Sequence, residues 1–178
     1  FVYSLDRNGA LKVHTTFQPD TTIVKSMARL GLTFRVSNAY DQVSYLGRGD
    51  NETYIDRNQS GKIGVYQTTP ERMFHYYVAP QSTGNRTDVR WVKLADTSGE
   101  GIFVESDRAF QFSIIPFSDV LLEKAHHINE LERDGMITIH LDAEQAGVGT
   151  ATCGPGVLPQ YLVPVKKQSF EFTLYPVK

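Results

Sequence analysis

Apolar and polar positions alternate with a period of two through much of the chain. Leu30, Leu32, Phe34 and Val36 alternate with Gly31, Thr33 and Arg35. Phe110, Phe112 and Ile114 alternate with Gln111 and Ser113, and Phe170, Phe172 and Leu174 form a last alternating segment. That spacing puts one side of each segment in a core and the other outside, which predicts half-buried strands. Residues 1–5 and 11–17 read as a hairpin around Asp6-Arg7-Asn8-Gly9, since Asn-Gly is a strong tight-turn signal. Residues 18–26 are polar and predict the start of a further strand. Residues 62–69 predict a strand closed by Pro70, and residues 89–95 predict one that turns at 96–101 and pairs back with 102–105. Residues 136–141 predict another. One helix is expected at 118–131, capped by Ser118 or Asp119, with Leu121, Leu122, Ala125 and Ile128 near helical spacing. About ten or more short strands and one helix predict an all-β fold of antiparallel sheets packed face to face, in one domain over residues 1–178.

Composition changes that picture little. The 178 residues are 40% hydrophobic and 21% charged with a net charge of −2, an ordinary globular balance with no basic footprint for nucleic acid. A chain of this size buries roughly 70% of its unfolded surface, enough for one sizeable core. No run of about 18 apolar residues occurs, so no helix is expected to span a membrane. Cys153 is the single cysteine, so no intrachain disulfide forms and the compartment stays undetermined. A start at Phe1 inside a strand-like pattern predicts a piece of a longer protein.

The candidate chemistry gathers in loops. After the strand carrying Val43, Tyr45 and Leu46 come Arg48, Glu52, Asp56 and Arg57, with Tyr54 among them. Asn85, Arg86, Asp88 and Arg90 form a second dense polar run. Planar polar groups with aromatics suit a hydroxyl-rich ligand, and equally suit a loop that satisfies its own backbone. Arg86, Asp88 and Arg90 on alternate residues predict an ion-pair ladder along a strand. Glu52, Asp56 and Asp88 have the residue type needed for a glycosidase acid and nucleophile, although solvated or arginine-paired loop carboxylates are far commoner. The bland reading also wins for the other motifs. Arg48-Gly49-Asp50 is an adhesion tripeptide short enough to recur by chance. Asp56-x-Asn58-x-Ser60-Gly61 opens like a calcium loop, but the twelfth position is Gln67 where a bidentate Glu belongs. Asn51, Asn58 and Asn85 head glycosylation sequons, which mark exposed loops only in a secreted eukaryotic protein. His126 and His127 are adjacent and face different sides of a helix, and His140 with Asp142 lacks further ligands, so no metal site is expected. Residues 143–159 form a long Gly/Pro-rich loop, the kind that is functional or meets a partner.

Taken in order, these pieces resemble the C-terminal domain of the large bacterial β-galactosidases of glycoside hydrolase family two, the segment also known as the β-galactosidase small chain. The likeness rests on Ala28-Arg29-Leu30-Gly31-Leu32, on Tyr45 before Gly47-Arg48-Gly49, and on Glu52-Thr53-Tyr54-Ile55-Asp56-Arg57. It continues through Gly64-Val65-Tyr66, Pro80-Gln81 and Gly84-Asn85-Arg86-Thr87-Asp88-Val89-Arg90-Trp91. It closes with Phe110-Gln111-Phe112-Ser113, Ala146-Gly147-Val148-Gly149 and Cys153-Gly154-Pro155-Gly156. The resemblance implies an antiparallel supersandwich similar to galactose mutarotases. It also implies the last domain of a retaining β-galactosidase that acts on β-galactosides and can be homo-oligomeric. Both catalytic glutamates would sit on an upstream (β/α)₈ barrel, so none here is expected to be catalytic, and no cofactor is expected in this domain. The expected rim of the galactose pocket is Gly147, Val148, Gly149, Cys153, Gly154 and Pro155. Cys153 stands where the family carries a sugar-stacking tryptophan, and Ile55 replaces a usual proline. The second reading is a free-standing carbohydrate-binding or aldose-epimerase-like module, with His75 and His140 as its candidate histidines.

Overall fold

The computed structural model describes residues 1–150 and 153–178. Eleven antiparallel strands are described: β1 (Val2–Leu5), β2 (Leu11–Phe17), β3 (Ser26–Met27), β4 (Arg29–Ser37), β5 (Gln42–Gly49), β6 (Lys62–Thr68), β7 (Arg86–Ala95), β8 (Gly101–Ile115), β9 (Met136–Gln145), β10 (Val163–Pro164) and β11 (Gln168–Val177). Seven of them lie side by side in the order β1-β2-β11-β8-β7-β5-β6. A second set, β4-β9, joins this layer through β8. The all-β sandwich expected from alternation is therefore present.

β8 is the hinge of the architecture. The sequence predicts two strands there, split near residue 106, but one 15-residue strand runs through. Its first half pairs with β11 and β7, and its second half, from Gln111, pairs with β9. Between them the register against β7 jumps, from Trp91 opposite Glu105 to Val89 opposite Phe110. Extra residues on one strand bend it and sharpen its twist. Here the bend carries β8 from one layer to the other. The core fills the space between: Tyr45, Val92, Val104, Phe110, Phe112, Phe170 and Phe172 from the larger layer meet Ile137, Ile139 and Leu141 from β9. Leu32, Phe34 and Val36 of β4, expected in the core, pack against it only in part.

The first hairpin forms as expected. Asp6 Oδ1 accepts from the Asn8 and Ala10 N–H groups at 2.8 and 2.9 Å, and Gly9 takes the positive φ of +83° that the turn requires. Other expectations are corrected. Only Ser26 and Met27 of residues 18–27 are strand, where β3 pairs with β10. The helix is shorter than predicted: α2 covers Asp119–Lys124, with Ser118 as its cap, and a separate 3₁₀ turn covers Ile128–Glu130. The break follows from Glu130, whose carboxylate accepts from the His126 N–H and meets His127 Nδ1, folding the chain back. A second short helix, α1 (Pro70–Met73), stands where Pro70 was expected simply to end a strand. Thr69 Oγ1 accepts from the Arg72 N–H and Pro70 takes a first-turn position, where its missing N–H costs nothing. Among the described residues no helix is long and apolar enough to cross a membrane.

Candidate functional site

The loop after β5 is fastened from below by buried polar groups. Thr53 is fully buried; its N–H donates to the Asn85 carbonyl at 2.8 Å, and its hydroxyl accepts from the Thr87 N–H at 3.0 Å. Asn85 Nδ2 donates to the Thr53 carbonyl and to Gln111 Oε1 at 2.9 and 2.8 Å. Asn85 is therefore a buried strut, not the exposed loop asparagine its sequon suggests.

Glu52 is the acceptor at the centre of the loop. It takes hydrogen bonds from the Tyr77 hydroxyl, from the Gly84 N–H at 3.0 Å and from Arg57 Nη2 at 2.7 Å. Burial works against its charge, but the Tyr77 hydroxyl, the Gly84 N–H and the Arg57 guanidinium outweigh it and hold the carboxyl below its ordinary range. Burial and the neighbouring Glu52 push the Tyr77 and Tyr54 hydroxyls upward. Arg57 also lies over the Tyr54 ring, 5.5 Å from its centroid.

Asp56 joins this loop to the one expected to rim a pocket. Its Oδ1 accepts from the Val148 N–H at 3.2 Å and its Oδ2 from the Gly149 N–H at 2.8 Å. A carboxylate accepting from two successive backbone N–H groups is a charge-assisted clasp. Gly147 must be glycine for it to close, because a Cβ there would sit 2.4 Å from Asp56 Oδ2. Gly149 must bend with φ +59° to present its N–H. The far side of the segment is held by Gly147 N–H to the Tyr161 carbonyl at 2.8 Å and by Thr150 N–H to the Pro155 carbonyl at 3.0 Å.

Beside the clasp lies a cleft of about 450 Å³, lined by Asp56, Arg57, Val148, Gly149, Thr150, Pro155, Gly156, Leu158 and Tyr161. The fold thus brings together Asp56 and Arg57 from one predicted group with Val148, Gly149 and Pro155 from the other. Gly147 is buried against Asp56, while Cys153 and Gly154 are exposed in the same turn and do not line the cleft. Tyr77, Leu158 and Tyr161 were not singled out from sequence. Pro159, which opens the 3₁₀ turn Pro159–Tyr161, was the available cue for Tyr161.

The remaining polar residues are arranged otherwise than predicted. No Arg86-Asp88-Arg90 ladder forms. A register shift between Arg86 and Val89 puts Asp88 at φ +55° and breaks the alternation the ladder needed. Asp88 instead pairs with Arg48, which also donates to the Gly61 carbonyl at 2.9 Å. Arg86 turns inward and is buried, donating to the Tyr45 hydroxyl at 3.0 Å and to the carbonyls of Gly84 and Asp50 at 3.0 and 2.7 Å. Arg90 is exposed. His75 is exposed against Tyr77, with ring centroids 4.3 Å apart.

His140 is fully buried, between Ser113 Oγ (3.0 Å from Nδ1) and Asp119 Oδ2 (2.9 Å from Nε2). The chain of groups has the order of a nucleophile, a base and a carboxylate, but Ser113 is itself buried, 1% exposed. Its work is to fasten α2 to the sheet. The hydrogen bond and charge of His140 hold the Asp119 carboxyl below its usual range.

The fold is an antiparallel sandwich in which Asp56 joins two long loops beside a small, mostly apolar cleft. A family model for the beta galactosidase small chain matches residues 1–174, and the chain belongs to that family. Among its relatives, the Kluyveromyces lactis β-galactosidase is 29% identical over 175 residues, 98% of this chain and 16% of that protein. The Priestia megaterium β-galactosidase is 28% identical over 147 residues, 83% and 14% of the two chains. The β-galactosidase BgaC of Bifidobacterium adolescentis is 37% identical over 122 residues, 67% and 12%. The chain therefore spans a small fraction of the length of these relatives.

Proposed function

We propose that this chain is the C-terminal domain of a retaining β-galactosidase, that it edges the galactose pocket and packs on a catalytic barrel, and that it is inactive alone. The observation that carries the reading is the fate of the loop carboxylates. Glu52 is taken up by Tyr77, Gly84 and Arg57, Asp56 by two backbone N–H groups, and Asp88 by Arg48. Glycoside cleavage needs a carboxylic acid beside the leaving oxygen and a second carboxylate free to attack or to activate water. Three carboxylates spent on holding loops leave that chemistry to another domain. What the loops hold is a short, stiff edge with Val148 and Leu158 exposed beside the cleft. Such an edge suits a pocket wall.

Residues 1–178 assayed with a chromogenic β-galactoside give no turnover on this reading, while the complete polypeptide is active. Turnover at ordinary enzyme rates by residues 1–178 overturns it. Calorimetric titration of the same segment with galactose gives millimolar or no binding; micromolar binding favours a free-standing carbohydrate module.

A further inference from the structure

The outer face of the larger layer, turned away from the core, carries two rows of side chains in register. One row runs Gln67, Ser44, Lys93, Phe103, Tyr175 across β6, β5, β7, β8 and β11. The next runs Val65, Leu46, Trp91, Glu105, Thr173 across the same strands. Directly opposed residues on neighbouring strands stand about 5 Å apart, so each row is a continuous line. The first row therefore passes from an amide and a hydroxyl, through an ammonium group, to aromatic rings. Trp91 is the only tryptophan of the chain. It stacks on Phe103 with ring centroids 5.7 Å apart, and Phe103 meets Tyr175 at 6.1 Å. Trp91 and Phe103 are half-buried and Tyr175 is 36% exposed, so the rings reach solvent.

At the polar end of the first row lies a cleft of about 490 Å³, lined by Gln42, Ser44, Gln67, Thr68, Lys93 and Thr97. It sits at the start of β5, the opposite end of that strand from the Asp56 loop. Its floor is paired sheet. One wall is the turn after β7, which Asp96 stiffens: its Oδ1 accepts from the Ser98 N–H, the Ser98 hydroxyl and the Glu100 N–H at 2.8, 2.7 and 3.1 Å. A cleft with a paired floor and a self-bonded wall is formed before any ligand arrives. Its nearby anions are committed. Asp96 is spent on its own turn, Glu105 accepts from the Tyr175 hydroxyl at 2.7 Å, and Glu100 lines a different groove with Val36 and Pro176. Lys93, among the described residues, pairs with no carboxylate. We infer that this cleft binds a short acidic saccharide, a chain of sugar rings that carry carboxylates. A ring carboxylate meets the Lys93 ammonium, ring hydroxyls meet Ser44 and Gln67, and the apolar side of a neighbouring ring lies against Phe103 and Trp91. A nucleic acid or an anionic membrane would need several uncommitted cations, and the cleft is lined by one.

Lysine footprinting on the complete polypeptide tests it. Saturating digalacturonic acid should slow reductive methylation of Lys93 about tenfold, while the exposed Lys166 reacts at an unchanged rate. Galactobiose, which keeps the rings without the carboxylates, and acetate, which keeps the carboxylate without the ring, should each slow Lys93 by less than about twofold. Absence of protection by digalacturonic acid overturns the inference, and so does equal protection by galactobiose or by acetate. Calorimetry gives a second readout. Lys93→Gln should weaken digalacturonic acid binding about tenfold or more, and Trp91→Ala about three- to tenfold, whereas Lys166→Gln leaves it unchanged. Unchanged binding in Lys93→Gln or in Trp91→Ala overturns the assignment. Neither measurement needs turnover, so a complete polypeptide inert toward galactosides would refute the proposed function and leave this result readable.

Discussion

The loop end and the β1 end of this molecule solve opposite problems. At the loop end, backbone that no strand pairs is held by side chains: Thr53, Asn85, Glu52 and Asp56 each bond backbone groups distant in sequence. At the β1 end the backbone is paired and the turn is well formed, yet Phe1, Tyr3 and Leu5 stand in solvent. The first end is held chiefly by polar contacts, with Val148 and Leu158 exposed beside its cleft. The other has satisfied polar groups and apolar surface with no cover. Hydrogen bonds make a loop rigid locally, whereas burial of apolar area needs a second layer of side chains.

The comparison breaks or sharpens under substitution, and the largest effect is expected at Glu52. Glu52→Ala removes one acceptor from Tyr77, Gly84 and Arg57 at once, and should cost about 3 kcal/mol in chemical unfolding. A loss below about 1 kcal/mol would mean that the loop is not held as described. Gly147→Ala forces a methyl group onto the Asp56 carboxylate, and should cost about 1–3 kcal/mol while raising proteolytic cutting in residues 146–161. Asp56→Asn keeps the shape but loses the charge and one acceptor, and should cost about 1–2 kcal/mol. On the proposed function, the same change in the complete polypeptide should raise KM for galactosides more than it lowers kcat, the result expected of a residue that positions the loop.

The pH response is a smaller effect with a definite sign. The carboxyl of Glu52 is held below its unfolded value, so its contribution to stability is present above about pH 4.3 and is lost as pH falls through the folded value. Glu52→Gln should flatten the acid limb of the stability–pH curve, and an unchanged limb would place the acid sensitivity at other carboxyls held low, such as Asp119 at His140 and Asp134 at Arg35. The smallest effect belongs to the bare end: Leu5→Ser in residues 1–178 alone should change stability by no more than about 0.5 kcal/mol.

Much of this was legible in the residues. Period-two alternation located most of the strands, and Asp6 to Gly9 specified its own turn. Thr69-Pro70-Glu71 also carried a helix start, a capping hydroxyl followed by a first-turn proline, although the proline alone reads as a strand terminator. The family likeness was readable because its short motifs keep their order along the chain. The Arg86 ladder failed because alternation holds only while a strand stays regular, and no local pattern announces the bulge that turns Asp88 to Arg48 and Arg86 into the core. The 118–131 helix was overdrawn for the same kind of reason, since Glu130 reaches back to His126 and His127.

By itself, then, the sequence determined which segments are strands and which side of each is apolar, because those follow from spacing along one chain. The tertiary structure alone decided that Asp56 closes on Val148 and Gly149, some ninety positions away, that β8 serves both layers, and that Tyr3 and Leu5 are left without cover. Those are facts about which strands lie beside which, and they depend on contacts between residues far apart along the chain, which no local periodicity encodes.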